Sequence, residues 1–152
     1  MTIHACLDLK ALRNGVLLCI DDNQDVLECE KALLETFGYI VLTAITGSKG
    51  LEMASLHAVD AVIVDYSMPE RNGQEFAIAR RRLGSQIPII MLSAALDVPE
   101  QALKVVDAFI AKDCLANQLL PAIAQLRGRF DFHIRIGRMT VLQNKQRARP
   151  PA

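Results

Sequence analysis

Short unbroken apolar runs alternate along this chain with stretches whose apolar residues recur every three or four positions. The runs at 16–20, 39–44, 61–65, 87–92 and 108–111 are rich in Val, Ile and Leu, as expected of strands buried on both faces. Between them the period lengthens. Val26, Leu27, Leu33, Leu34 and Phe37 mark the apolar face of a helix that Asp22 or Asn23 caps and Gly38 stops. Thr46, Gly47 and Ser48 open a second helix reaching about Leu56, with His57 as a surface cap near its end. A third helix is predicted from Gly73 to Gly84, with Phe76, Ala79 and Leu83 inward and Arg80, Arg81 and Arg82 facing solvent. A short fourth helix is predicted over 97–106 and a fifth over 114–127, the latter striped by Leu115, Leu119, Ile123 and Leu126 and disturbed by Pro121.

Five strands alternating with five helices require parallel pairing and right-handed crossovers. The expected architecture is an α/β, flavodoxin-like, three-layer (βα)5 fold with sheet order 2-1-3-4-5. Residues 1–14 are read as an N-terminal extension, 15–127 as the domain, and 128–152 as a basic C-terminal extension. Within that extension Phe130, Phe132, Ile134 and Ile136 alternate with polar residues or Gly, predicting an extra strand over 130–136, followed by a disordered tail.

Composition narrows the class. A 152-residue chain that is 51% hydrophobic and 22% charged is a globular domain with a core of its own. No apolar run approaches a membrane span, and the N-terminus lacks the apolar stretch of a signal peptide. Cys6, Cys19, Cys29 and Cys114 share no metal-ligand spacing and read as reduced packing thiols of a cytoplasmic protein. Net charge is zero but unevenly spread. From residue 127 onward seven Lys or Arg face Asp131 alone, a net of +6, whereas the preceding chain carries ten basic and sixteen acidic residues, a net of −6. Without a DNA-reading motif, nucleic acid is not expected to be a partner.

The chemistry gathers at strand ends. Asp21 and Asp22 follow the first strand and Asp65 ends the third, and in the order 2-1-3-4-5 those strands are neighbours. Three carboxylates at one rim repel one another, and a hard divalent cation such as Mg²⁺ relieves that.

Asp21-Asp22, then Asp65 with Met68-Pro69 and Gly73, then Ser93-Ala94, then Lys112, resembles a bacterial two-component response-regulator receiver domain of the stand-alone, chemotaxis-regulator type. The resemblance covers about residues 14 to 127. It implies a phosphorylation-dependent signalling switch in which Asp65 accepts phosphoryl from a sensor histidine kinase or histidine phosphotransfer protein. It implies Mg²⁺ held by Asp22 and Asp65 directly, by Asp21 through water and by the main-chain carbonyl of Ser67. It makes Ser93 and Lys112 partners of the phosphoryl group, and Ser93 and Phe109 the residues that report the switch to a downstream protein. The chemistry is self-modification rather than enzyme turnover.

Three departures from the family stand out. Phe109 occupies a position where Tyr or His is common, Asp113 follows Lys112 where Pro is usual, and only 19 residues separate Ser93 from Lys112, shortening the fourth helix. Ala95, two past Ser93, offers no polar group to a hydrolytic water, so slow loss of phosphoryl is expected. The altered region suggests a rival reading: a receiver-like dimeric adaptor, paired through 128–142, whose output does not depend on phosphorylation.

Overall fold

The computed structural model describes residues 14–94 and 98–136, with side chains as far as residue 126. Five strands form one parallel sheet: β1 (Gly15–Ile20), β2 (Tyr39–Ala44), β3 (Ala61–Asp65), β4 (Ile89–Ser93) and β5 (Ala108–Ala111). Their order is β2-β1-β3-β4-β5, as the sequence predicts. The connections carry α1 (Gln24–Thr36), α2 (Gly47–Leu56), α3 (Gly73–Arg82) and α4 (Glu100–Lys104), and α5 (Leu115–Ile136) follows β5 after one 3₁₀ turn at Lys112–Cys114.

The strands are continuous apolar runs because both faces are covered. Leu17 and Cys19 of β1 face one core with Leu27 and Leu34 of α1 and Leu119 and Ile123 of α5. Leu18 and Ile20, one residue out of phase, face the other with Ala54 of α2 and Phe76 and Ala77 of α3. Strand periodicity thus assigns each side chain to a layer.

Local chemistry fixes the helix starts. Asn23 accepts from the N–H groups of Asp25 and Val26, Thr46 from that of Lys49, and Asn72 from that of Glu75. Beyond α1, Gly38 adopts φ of +86°, the left-handed turn that releases the chain into β2. His57 is the exposed C-cap of α2, as expected.

Several expectations are corrected. The predicted strand at 130–136 is helix, because α5 runs unbroken through Pro121 to Ile136 and across the anticipated boundary at residue 127. Phe130 with Ile134, and Phe132 with Ile136, are also i, i+4 pairs, so the pattern suits either state. Extending a formed helix adds one hydrogen bond per residue fixed, whereas a new strand needs a sheet edge to pair with. The fourth strand begins at Ile89 rather than Ile87, and the fourth helix spans only Glu100–Lys104 instead of 97–106. Phe37 and Leu83, expected inside, are 51% and 70% exposed, because each lies just past the last turn of its helix.

Arg80 and Arg81 are not solvated as predicted. Arg80 is buried and Arg81 half-buried, and only Arg82 of the three is exposed. The guanidinium of Arg81 donates to the carbonyls of Ser85, Ile87 and Val105 and pairs with Asp107, so a distant loop draws it inward. No described peptide bond is cis, Lys112–Asp113 included. The N-terminal extension before Asn14, Ala95, and the tail after Ile136 with its expected disorder lie outside the described residues, as does the 137–142 part of the dimerisation segment.

Candidate functional site

β1 and β3 lie side by side, with Ile20 opposite Val64, so the residues that follow them meet at one rim. Carboxylate oxygens of Asp21, Asp22 and Asp65 all lie within 4.8 Å of one another. Asp21 and Asp65 are buried, at 1% and 4% exposure, and Asp22 faces solvent. The cluster therefore has a closed floor and one open side.

Asp21 is held by two partners. Its Oδ1 accepts from the N–H of Asn23 at 2.9 Å, and its Oδ2 accepts from Lys112 Nζ at 2.7 Å. Lys112 also lies 3.3 Å from Asp65 Oδ1. That oxygen is buried and receives no well-formed hydrogen bond, so it has spare capacity for a cation or an electrophile. The N–H of Ser67 donates to the Asp65 carboxylate.

Burial, then the charge of Asp21, pushes Asp65 up to about 6, although Lys112 and the Ser67 N–H oppose the rise. Burial pulls Lys112 down, but its hydrogen bond to Asp21 and the charges of Asp65 and Asp21 outweigh that and hold it above the ordinary lysine range. The geometry is an excess of carboxylate over ammonium in a semi-enclosed pocket.

The β3–α3 loop is drawn close to the rim. A Cβ at Gly73 would stand 2.7 Å from the Asp65 carbonyl oxygen, so glycine lets the start of α3 press against the end of β3. The N–H of Gly73 donates to the Tyr66 carbonyl at 3.1 Å, closing the loop that carries Ser67.

On the other side, Asp65 stands opposite Leu92 in the β3–β4 register, so Ser93 is one residue further along the same rim. Ser93 is buried at 1% exposure, opposite Ala111, the residue before Lys112. Phe109 on β5 is half-buried and opposite Met91. Asp21, Asp22, Asp65, Ser93 and Lys112 thus sit at or just past the carboxyl ends of neighbouring strands, with Ser67 in the loop after β3 and Phe109 inside β5, three residues before Lys112.

Sequence reasoning missed Glu30. It takes an inward slot on α1 between Leu27 and Leu34 and is 1% exposed. Burial, then Asp21, pushes it up to about 7, while a hydrogen bond with the Cys19 thiol and the charge of Lys112 act the other way. A glutamate at i+3 from one buried leucine and i−4 from another was the available signal.

The described residues fit a hard divalent cation. Such an ion takes carboxylate and carbonyl oxygens and keeps several waters, and here three carboxylates converge around a buried oxygen that receives no well-formed hydrogen bond among the described residues, open to solvent on the Asp22 side.

Comparison with known proteins bears on the domain as a whole. The family model of the response regulator receiver domain matches residues 17–124. The response regulator protein TodT of Pseudomonas putida is 33% identical over 115 residues, covering 73% of this chain and 50% of that protein. The transcriptional regulatory protein PrrA of Mycobacterium tuberculosis is 28% identical over 113 residues, covering 72% of this chain and 48% of its own length. The chain thus matches about half the length of these relatives. Among solved structures, the chemotaxis protein CheY4 of Vibrio cholerae superposes with a TM-score of 0.68 at 27% identity, over 73% of this chain and 97% of that one. The response regulator TrrA of Thermotoga maritima, solved in complex with Mg²⁺ and BeF, superposes with a TM-score of 0.70 at 27% identity, over 73% and 97%.

Proposed function

The chain belongs to the response regulator receiver domain family of two-component systems, and from that premise we propose that Asp65 is the phosphoacceptor of a phosphorylation-controlled switch. The observation that carries this is the convergence of Asp21, Asp22 and Asp65 with Lys112 around one unsatisfied Asp65 oxygen.

Asp65 attacks phosphorus with a carboxylate oxygen. The new bond is the P–O bond of an acyl-phosphate, and the bond that breaks joins phosphorus to the imidazole of a phosphohistidine on a sensor histidine kinase or histidine phosphotransfer protein. Such a transfer needs in-line positioning and cations against the equatorial oxygens more than covalent help. Lys112 supplies one of those cations and the Ser93 hydroxyl donates to a phosphoryl oxygen. Asp22, Asp65 and the Ser67 carbonyl would hold Mg²⁺, with Asp21 acting through water. The bound ion would neutralise the carboxylate excess and the charge developing on the phosphoryl oxygens.

The product adds roughly −1.5 to −2 charge beside Ser93 and Lys112. Ser93 drawn toward that charge leaves space that Phe109, half-buried on β5, can enter. A downstream protein then reads the surface on that side of the sheet. Hydrolysis of the acyl-phosphate resets the switch, so the protein modifies itself and turns over no other substrate. The setting of this chemistry is cytoplasmic; among the described residues no helix is long and apolar enough to cross a membrane. The acidic rim with Lys112 favours this switch over an adaptor indifferent to phosphorylation.

The test is the intact mass after exposure to acetyl phosphate and Mg²⁺. A single adduct of about 80 Da, absent with EDTA and absent from Asp65→Ala, is expected. A folded, Mg²⁺-binding protein that takes no adduct would overturn the proposal.

A further inference from the structure

Glu30 places a carboxyl group on the core-facing side of α1. Its neighbours along α1, Leu27 and Leu34, are core residues, and it too is 1% exposed. Among the described residues its Oε1 has no hydrogen-bond partner. A carboxyl group in such a slot destabilises the fold relative to a leucine of similar size. Its contacts point toward the acidic rim. The group bonds to Cys19, and Cys19 and Asp21, two apart at the end of β1, project to the same side of the sheet. Among the described residues, the charges of Asp21, Asp65 and Lys112, from three different segments, act on it.

Three buried carboxyl groups therefore share one lysine. Lys112 already serves Asp21 at 2.7 Å and Asp65 at 3.3 Å. The negative charge of Glu30 is left largely uncompensated, and a low-dielectric setting lets it act over several ångströms. We propose that Glu30 is a fourth, buried carboxylate of the phosphoacceptor site, a positioning residue that strengthens the hold of the rim on a divalent cation without ligating it. This rests on the cation-binding reading of Asp21, Asp22 and Asp65.

The fold bears a cost for this arrangement in the metal-free state and recovers it on loading. Removing the charge should therefore move two quantities in opposite directions. A purely structural residue would move only the first, and toward lower stability.

The experiment compares full-length wild type, Glu30→Gln and Glu30→Leu at pH 8, where the carboxyl is ionised, by thermal unfolding and by calorimetric titration with MgCl₂. Both variants are expected to melt higher than wild type without Mg²⁺ and to bind Mg²⁺ about three- to tenfold more weakly, the size expected of one buried charge acting at short range. Unchanged Mg²⁺ affinity in both variants overturns the role of Glu30 while leaving the rim intact. Failure of both to fold also overturns it, because the carboxyl would then be structural. A wild type that binds no Mg²⁺ removes both this inference and the reading beneath it.

Discussion

Lys112 Nζ stands 2.7 Å from Asp21 Oδ2, nearer than to Asp65 Oδ1 at 3.3 Å. The lysine is thus anchored by the acidic residue of β1 and leans over the carboxylate of β3 that we propose as nucleophile. Both carboxylates are buried, so its ammonium is a structural counter-charge as well as the partner we propose for phosphoryl oxygens. Lys112→Met should lower the stability of the metal-free protein by about 2–4 kcal/mol, the cost of leaving buried charge unpaired. Mg²⁺ should restore much of that loss, because it supplies the missing positive charge. The adduct rate with acetyl phosphate should fall about 10²-fold or more even with Mg²⁺ present. Urea unfolding with and without Mg²⁺, beside time-resolved intact mass, separates the two roles.

Asp65 and the buried Glu30 set a pH dependence whose sign is unusual for acids. Asp65 rises from 3.8 to about 6 and Glu30 from 4.5 to about 7 in the fold. The native state therefore binds more protons than the unfolded chain between about pH 4 and pH 7. Stability contributed by these two groups is fully present below their unfolded values and is lost as pH climbs through their folded ones. Metal-free protein should lose a few kcal/mol, about 2–4 in all, between pH 5 and pH 8. With saturating Mg²⁺ the slope should flatten or reverse, because the cation favours the ionised forms. Urea midpoints at four pH values, with EDTA or Mg²⁺, measure it. A metal-free midpoint that rises over this range would contradict the assignment.

Arg81 makes a different kind of tie. Its guanidinium donates to the carbonyls of Ile87 at 3.0 Å and Ser85 at 3.3 Å and pairs with Asp107 at 2.6 Å. Asp107 in turn accepts from the N–H of Ile89 at 2.8 Å. One side chain thus joins the end of α3, the entry to β4 and the lead into β5. Arg81→Ala should cost about 1–3 kcal/mol, since half-buried carbonyls lose their donor. Arg82→Ala, at an exposed position, should stay within about 0.5 kcal/mol of wild type. Mg²⁺ affinity should be unchanged in both, because this tie lies at the opposite end of the sheet from the rim.

These arginines mark where the sequence stops being legible. The rim is readable because strand burial shows as unbroken apolar runs, and parallel topology then brings Asp21, Asp22, Asp65, Ser93 and Lys112 to the same ends. Three consecutive arginines announce a polar surface, but nothing local says that Ser85, Ile87 and Val105 will present carbonyls to one of them. Glu30 was hidden for the same reason. Polar residues on a helix are normally outside, so its place between Leu27 and Leu34 on the buried face of α1 was a weak signal against that expectation. The segment at 130–136 failed otherwise, since its apolar spacing serves a helix or a strand and the helix already formed from Leu115 decides.

Gly73 offers the sharpest test of how the loop serves the rim. A Cβ there would sit 2.7 Å from the Asp65 carbonyl oxygen and 3.1 Å from the Tyr66 Cα, and neither is a flexible side-chain end. Gly73→Ala must move the start of α3 away from β3, and with it the loop holding Ser67. Helix propensity alone favours alanine by up to about 1 kcal/mol, so any net loss of stability reports the collision. The expected loss is about 1–3 kcal/mol, typical of overpacking. Mg²⁺ binding should weaken as well, because the Ser67 carbonyl would be displaced while all three aspartates remain. Calorimetric titration of the variant with MgCl₂ checks this. A full-strength site in a destabilised Gly73→Ala protein would show that the aspartates alone hold the ion and that the Ser67 carbonyl is dispensable.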